Sequence, residues 1–247
     1  MNHRTGDKII IGGDYQYNAY YKGSVPQRFW HKFKISAAMT NLALRPGKNI
    51  LDAGCGSGML SAFIAKDDPA IQVTGLDGNA EAIRFCRQQW KDLPNLRFIQ
   101  GMIDQLGQFA DASMDGVAFL EVIEHITEKQ ADYVLSEFYR ILKQDGVLVI
   151  STPNRKSLWP LLEYIMDLFH LAPRLKDAQH EKLYSEGELT NIAYRNGLTP
   201  LKLQRINFIA PWIASFSAKL AHKAHNWETR HNRLPGSLLF HTYRKIR

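Results

Sequence analysis

The chain is predicted to be an α/β protein: a seven-stranded, mostly parallel sheet with helices on both faces, plus a helical cap from its C-terminal part. Three observations predict this. Between Asn49 and Pro153, short apolar runs alternate with helical patterns. A glycine turn, Gly54-Cys55-Gly56-Ser57-Gly58, joins the first of those runs to the helix after it. Beyond Pro153 the alternation breaks, and two further strand patterns stand apart with an insertion between them.

The elements follow in order. Residues up to about Ser24 are rich in Gly, Tyr and Asn and read as an irregular lead-in. Apolar residues recur at helical spacing from Gln27 to Leu44, and Pro46-Gly47 stops that helix. Asn49–Ala53 is a short buried strand, and Met59–Lys66 the helix after the glycine turn. Val73–Leu76 is the second strand, ending at Asp77, and Asn79 caps a helix reaching Trp90. Leu96–Gln100 and Gly116–Leu120 are the third and fourth strands. Thr127 with Gln130 forms a capping box for a helix to Lys143, and Gly146–Ser151 is the fifth strand, closed by Pro153. Ser157–Leu171 is amphipathic, and Ser185 with Glu188 caps a helix ending at Gly197. Leu201–Ile209 and Leu238–Ile246 complete the sheet, and the insertion between them is a cap rather than an independent domain.

Length and a hydrophobic content of 45% suffice for a full core. Met1–Lys8 is polar, no apolar run reaches the ~20 residues of a membrane span, and two cysteines cannot build a disulfide framework. Cys55 and Cys86 read as small core residues in a reduced, cytoplasmic setting. Residues 1–150 hold 16 Lys/Arg against 17 Asp/Glu, whereas residues 151–247 hold 15 against 7. The basic character therefore belongs to the C-terminal part, which suits an anionic partner or simply a solvated surface.

Asp52 enters the glycine turn with the spacing D-x-G-x-G-x-G. A dinucleotide fingerprint would need a glycine where Met59 stands, and a P-loop needs a Gly-Lys-Ser/Thr run that the turn lacks. An acid at the entrance suits a ligand with a cationic end. A second acid, Asp77, closes the next strand, where a carboxylate can accept both hydroxyls of a ribose. An ammonium, a ribose and no phosphate describe S-adenosylmethionine.

With the segment FLEVIEHI after strand four, these residues resemble the class I S-adenosylmethionine-dependent methyltransferases over about Lys34 to Thr152. The resemblance implies a Rossmann-like sheet and one methyltransferase domain over 1–247, with a cofactor-binding core at 26–152 and cap or lid insertions in 153–247. It implies that Asp52 and the backbones of Gly54 and Gly56 hold the amino-acid moiety of the cofactor. Asp77 would bind the ribose, Gly78 would lie near the adenine, and Leu120 would contact the cofactor through its backbone. Met102 stands where many relatives carry an acid for the adenine amino group, so the backbone of Ile103 would serve instead. Lys34 would approach the cofactor carboxylate.

Glu121, Glu124 and His125 are spaced to share one face of a helical turn, just past strand four, where α/β sheets bind ligands. Methyl transfer to oxygen requires a positioned nucleophile and a destination for its proton. His125 is the candidate base, with Glu124 beside it. Alternatively Glu121, Glu124 and His125 bind Mg²⁺, or Glu124 and His125 serve the fold alone. The segment resembles the ubiquinone-biosynthesis O-methyltransferases of the methyltransferase type 11 group, in which an E-x-x-E/D-H motif is linked to a divalent metal. That resemblance implies O-methylation of a small, lipophilic, phenol- or quinol-like acceptor.

Competing readings use other features. Base-methylating enzymes of this fold often carry N/D-P-P-Y/F after strand four, and here that place reads Leu120-Glu121-Val122-Ile123. The basic C-terminal part keeps RNA or protein as an alternative substrate, and a non-catalytic cofactor-binding module as another. His180 faces either the site mouth or solvent; His222, His225 and His231 read as solvated surface. Ile206–Ala218 has no charged residue and holds Phe208, Ile209, Trp212, Ile213 and Phe216, followed by Lys219 and Lys223. Such a segment either closes over the site as a lid or meets the anionic inner face of a membrane.

Overall fold

The computed structural model describes residues 12–157, 181–207, 209–230 and 236–246. The strands are β1 (Asn49–Ala53), β2 (Gln72–Asp77), β3 (Leu96–Gln100), β4 (Met114–Leu120), β5 (Leu142–Pro153), β6 (Leu198–Ile206) and β7 (Leu238–Lys245). They form one seven-stranded sheet in the order β3-β2-β1-β4-β5-β7-β6. β1 to β5 pair in parallel, and β7 runs antiparallel to both β5 and β6. Chain order reverses between β1 and β4, so their C-terminal ends part to leave a crevice.

The helices are α1 (Tyr15–Lys22), α2 (Val25–Asn41), α3 (Met59–Asp67), α4 (Ala80–Gln89), α5 (Glu128–Ile141), α6 (Glu186–Arg195), α7 (Ala210–Ile213) and α8 (Ala218–Arg230). Both predicted capping boxes are present, on Thr127 and Ser185. The central strands are apolar on both faces because both faces are covered: Ile50 and Leu51 on β1 and Val117, Ala118 and Phe119 on β4 are fully buried. One core cluster joins the sheet to α5 and α6 through Phe119, Phe138 and Ile192. The other joins it to α2, α3 and α4 through Leu42, Ile64 and Ile83.

Several boundaries depart from expectation. The lead-in is not irregular: Tyr15–Lys22 is helical, and Tyr17 lays its ring 5.4 Å from Phe85 and 6.0 Å from Trp90. β5 starts at Leu142, not Gly146, and β6 spans Leu198–Ile206, three residues earlier than predicted at each end. The amphipathic stretch after Ser157, together with His180, Phe208 and His231, lies outside the described residues. The described cap packs on α2, with the rings of Phe33 and His225 stacked at 3.9 Å. The buried carboxylate of Glu228 accepts the Ile209 and Ala210 amides at 2.7 and 2.9 Å, which ties α7 to α8. His225 is thus half-buried against Phe33, not solvated as the sequence suggested, and His222, though exposed, sets its ring against Phe29 and Phe33.

Candidate active site

A cleft of about 540 Å³ opens at the C-terminal ends of β1, β2 and β4. Its floor is the glycine turn. Gly54 and Gly56 have φ of 79° and 52°, the left-handed region that glycine enters without penalty. Space is as restrictive as conformation there: a Cβ on Gly54 would come within 2.3 Å of Val122 Cγ2. The Gly56 amide donates to Asp77 Oδ2 at 2.8 Å, and the Asn79 amide donates to Asp77 Oδ1 at 2.8 Å. Each oxygen accepts one of these bonds and has a second lone pair, so this carboxylate can also receive two ligand hydroxyls.

Asp52 is set differently. One of its oxygens accepts the Ser61 hydroxyl at 2.6 Å and the Ser61 amide at 3.2 Å, behind the turn, and its side chain is absent from the cleft lining. Burial lifts its pKa to about 6 against the pull of those bonds. Its visible work is to tie the turn to α3. On the far side of Asp77, Gly78, Gly101, Met102 and Ile103 wall a shallow subsite. The sulfur of Met102 lies 2.9 Å from where a Gly78 Cβ would stand.

The lead-in closes the cleft from above. Gly12, Gly13, Tyr15 and Gln16 all line it. A Cβ on Gly13 would strike the Glu81 and Ala82 backbone at 2.5 to 2.7 Å, and one on Gly56 would meet the Gln16 amide at 2.7 to 2.8 Å. α1 therefore straps the mouth of the glycine turn.

Beyond Leu120 lies a group of titratable side chains. Lys34, 5% exposed on α2, forms an ion pair with Glu121. Burial pushes the Glu121 carboxyl up, but Lys34 prevails and holds it below the usual range. Glu121 carries a φ of 54°, a conformation that costs a non-glycine residue energy and that turns it toward Lys34. Glu124 is buried and accepts the Thr152 hydroxyl at 3.0 Å. Burial and the nearby Glu121 charge raise its pKa to about 8, so it is neutral at pH 7. His31, one helical turn before Lys34, is held neutral to about pH 3, first by burial and then by the Lys34 charge. His125 is exposed and lines the cleft.

The expected metal cluster is not there. Residues 123–125 form a 3₁₀ turn, not an α-helical one, and Glu121 precedes it in a left-handed conformation. The three side chains consequently diverge: Glu121 to the Lys34 ammonium, Glu124 inward to Thr152, His125 to the surface. Among the described residues no group of three His, Cys, Asp or Glu could hold a metal ion. The Lys34 ammonium already pairs with the Glu121 carboxylate, and Glu124 is turned to the Thr152 hydroxyl. The structure does not support the Mg²⁺ expectation.

Of the predicted cofactor residues, Lys34, Gly54, Gly56, Asp77, Gly78, Met102, Ile103 and Leu120 all line this cleft. Gln16, Trp30 and His31 also line it and were missed by the sequence reasoning. His31 had a signal, since it precedes Lys34 at helical spacing; Gln16 had none, because it arrives through a helix that carries no local signature.

A family model described as a methyltransferase domain matches residues 44–198. A probable S-adenosylmethionine-dependent methyltransferase of Mycolicibacterium smegmatis is 34% identical over 215 residues, 81% of this chain and 80% of its own. A ubiquinone biosynthesis O-methyltransferase of Erwinia tasmaniensis is 30% identical over 153 residues, 59% of either chain. A solved S-adenosylmethionine-dependent methyltransferase from Archaeoglobus fulgidus shares the fold, with a TM-score of 0.64 at 20% identity, covering 94% of this chain and 99% of that one.

Proposed function

Since this chain belongs to the S-adenosylmethionine-dependent methyltransferases, we propose that it methylates an oxygen of a small, lipophilic, phenol- or quinol-like acceptor. The observation that carries the reading is the composition of the cleft beyond Leu120: one exposed imidazole, His125, among the apolar walls of Trp30, Ile126 and Leu238. The Lys34–Glu121 pair leaves that region without an uncompensated charge. A relative named for ubiquinone O-methylation lends further support.

The residues present fit the cofactor. The bare backbone at Gly54 and Gly56 offers close approach to its methionine end, with Lys34 beside it for the carboxylate. The spare lone pairs of Asp77 suit the ribose, and Gly78, Met102 and Ile103 suit the adenine. When bound, the cofactor supplies a sulfonium methyl whose S–C bond breaks as the O–C bond forms, sulfur keeping the electron pair. His125 accepts the proton of the acceptor hydroxyl. His31 is the weaker base, because an imidazole whose conjugate acid has a pKa of about 3 gives little driving force for taking a phenolic proton. Glu124, neutral until about pH 8, avoids placing a second negative charge beside Glu121. The apolar walls hold the acceptor ring and exclude water.

Calorimetry with S-adenosylmethionine tests the cofactor half. Asp77→Ala should weaken binding at least about tenfold, since bonds to a charged group contribute about 1.5–3 kcal/mol each. Turnover of a panel of phenols and quinols, read by product mass, tests the acceptor half. His125→Ala should lower it about 10²-fold with cofactor affinity kept. A product methylated on nitrogen or carbon, or full activity in His125→Ala, would defeat the oxygen reading.

A further inference from the structure

We propose that the outward face of α8, with the turn before it, docks the protein on an anionic lipid membrane; this holds whichever acceptor the cleft takes. Phe216, in the turn between α7 and α8, is 92% exposed, Leu220 56% and Trp227 50%. Leu220 and Trp227 are seven residues apart and so lie along one line of the helix, and Phe216 stands in the turn just before it. Lys219, Lys223 and Arg230 recur at three- and four-residue spacing from these apolar groups and flank the line on one side, all exposed. The acid content of this face is nil: Glu228, the sole Asp or Glu from 209 to 230, is 2% exposed and turned inward to the Ile209 and Ala210 amides.

The inward face is already used. Ala221 is fully buried, and His222 and His225 lie against Phe29 and Phe33 of α2. The face left outside has bulky apolar groups at its crest and cations at its side. That pattern lets aromatic and aliphatic groups enter the acyl boundary while ammonium and guanidinium groups meet anionic headgroups. Trp212 and Ile213, which the sequence suggested for the same role, are half-buried, and Ile213 packs in the cap. No residue from 209 to 230 lines the cleft in this structure. A second copy of the chain fits this face poorly, because a two-fold contact would oppose its cations to themselves.

Flotation of the full chain with vesicles decides the matter. The protein should float with phosphatidylglycerol–phosphatidylcholine vesicles at low ionic strength, float less in high salt, and stay behind with phosphatidylcholine alone. Lys219→Glu with Lys223→Glu should lower the partition coefficient at least about tenfold, from about fivefold per cation removed. Phe216→Ser with Trp227→Ser should lower it by a similar factor. Both variants should keep the wild-type Tm and S-adenosylmethionine affinity. Absence of flotation with anionic vesicles overturns the proposal, as do variants that float like the wild type. So would self-association lost in the same variants by sedimentation velocity, or tighter binding to oligouridylate than to vesicles.

Discussion

Glu124 makes the pH dependence of the fold a residue-scale question. Its folded pKa of about 8 lies above the ordinary carboxylate value, so between about pH 4.5 and 8 the folded state holds a proton that the unfolded chain releases. Its contribution is fully present below pH 4.5 and is lost as pH rises through 8. Glu124→Gln keeps the shape and the acceptor for Thr152 but removes the ionisation. Thermal melts from pH 5 to 9 should show the wild type falling relative to this variant, by on the order of a few kcal/mol, and parallel curves would refute the buried carboxyl. His31, with its pKa depressed to about 3, acts oppositely, and its contribution is lost as pH falls from about 6.5 toward 3. At this scale Asp77 and the glycines were legible in the sequence because a ligand against bare backbone dictates residue type at fixed spacing. The E-x-x-E-H cluster was legible as a place but not as a geometry. The spacing assumed an α-helical face, and the left-handed Glu121 followed by a 3₁₀ turn sends each side chain elsewhere.

Among the elements, those with local chemistry at their ends were readable and those held by distant contacts were not. α5 announces itself: the Thr127 side chain accepts from the Gln130 amide at 3.3 Å, and the Gln130 side chain returns to the Thr127 amide at 3.0 Å. Thr127→Ala should cost about 1 kcal/mol of stability with unchanged cofactor affinity, measured by urea denaturation and calorimetry. A loss of affinity would mean that the cap also sets the 3₁₀ turn beside it. α1 has no comparable end: its N-cap, Asp14, makes no side-chain capping bond, and Ala19 is its one buried residue. Its helicity rests on Tyr17 against Phe85 and Trp90, and on Tyr20 against Phe63 at 5.3 Å. Those partners lie more than forty residues away, beyond any pattern within the segment.

For the molecule as a whole, the parallel strands build the cleft, and the exposed cations of α8, Lys219, Lys223 and Arg230, are not among its lining residues. Among the described residues no helix is long and apolar enough to cross a membrane. The strap across the cleft carries the remaining whole-molecule prediction. Tyr17→Ala removes the two ring contacts that tie α1 to Phe85 and Trp90, worth about 0.5–1.5 kcal/mol each, so stopped-flow release of S-adenosylhomocysteine should accelerate about tenfold, with chemistry unchanged in single turnover. Equal release rates would show the strap to be passive. Gly13 lies against the Glu81 backbone and Gln16 against Gly56, so α1 borders the glycine turn on the side of the lead-in. If release does accelerate in Tyr17→Ala, the pace of successive cycles is set by how often these eight residues lift. The enzyme would then carry its own clock in a helix that takes no part in the transfer.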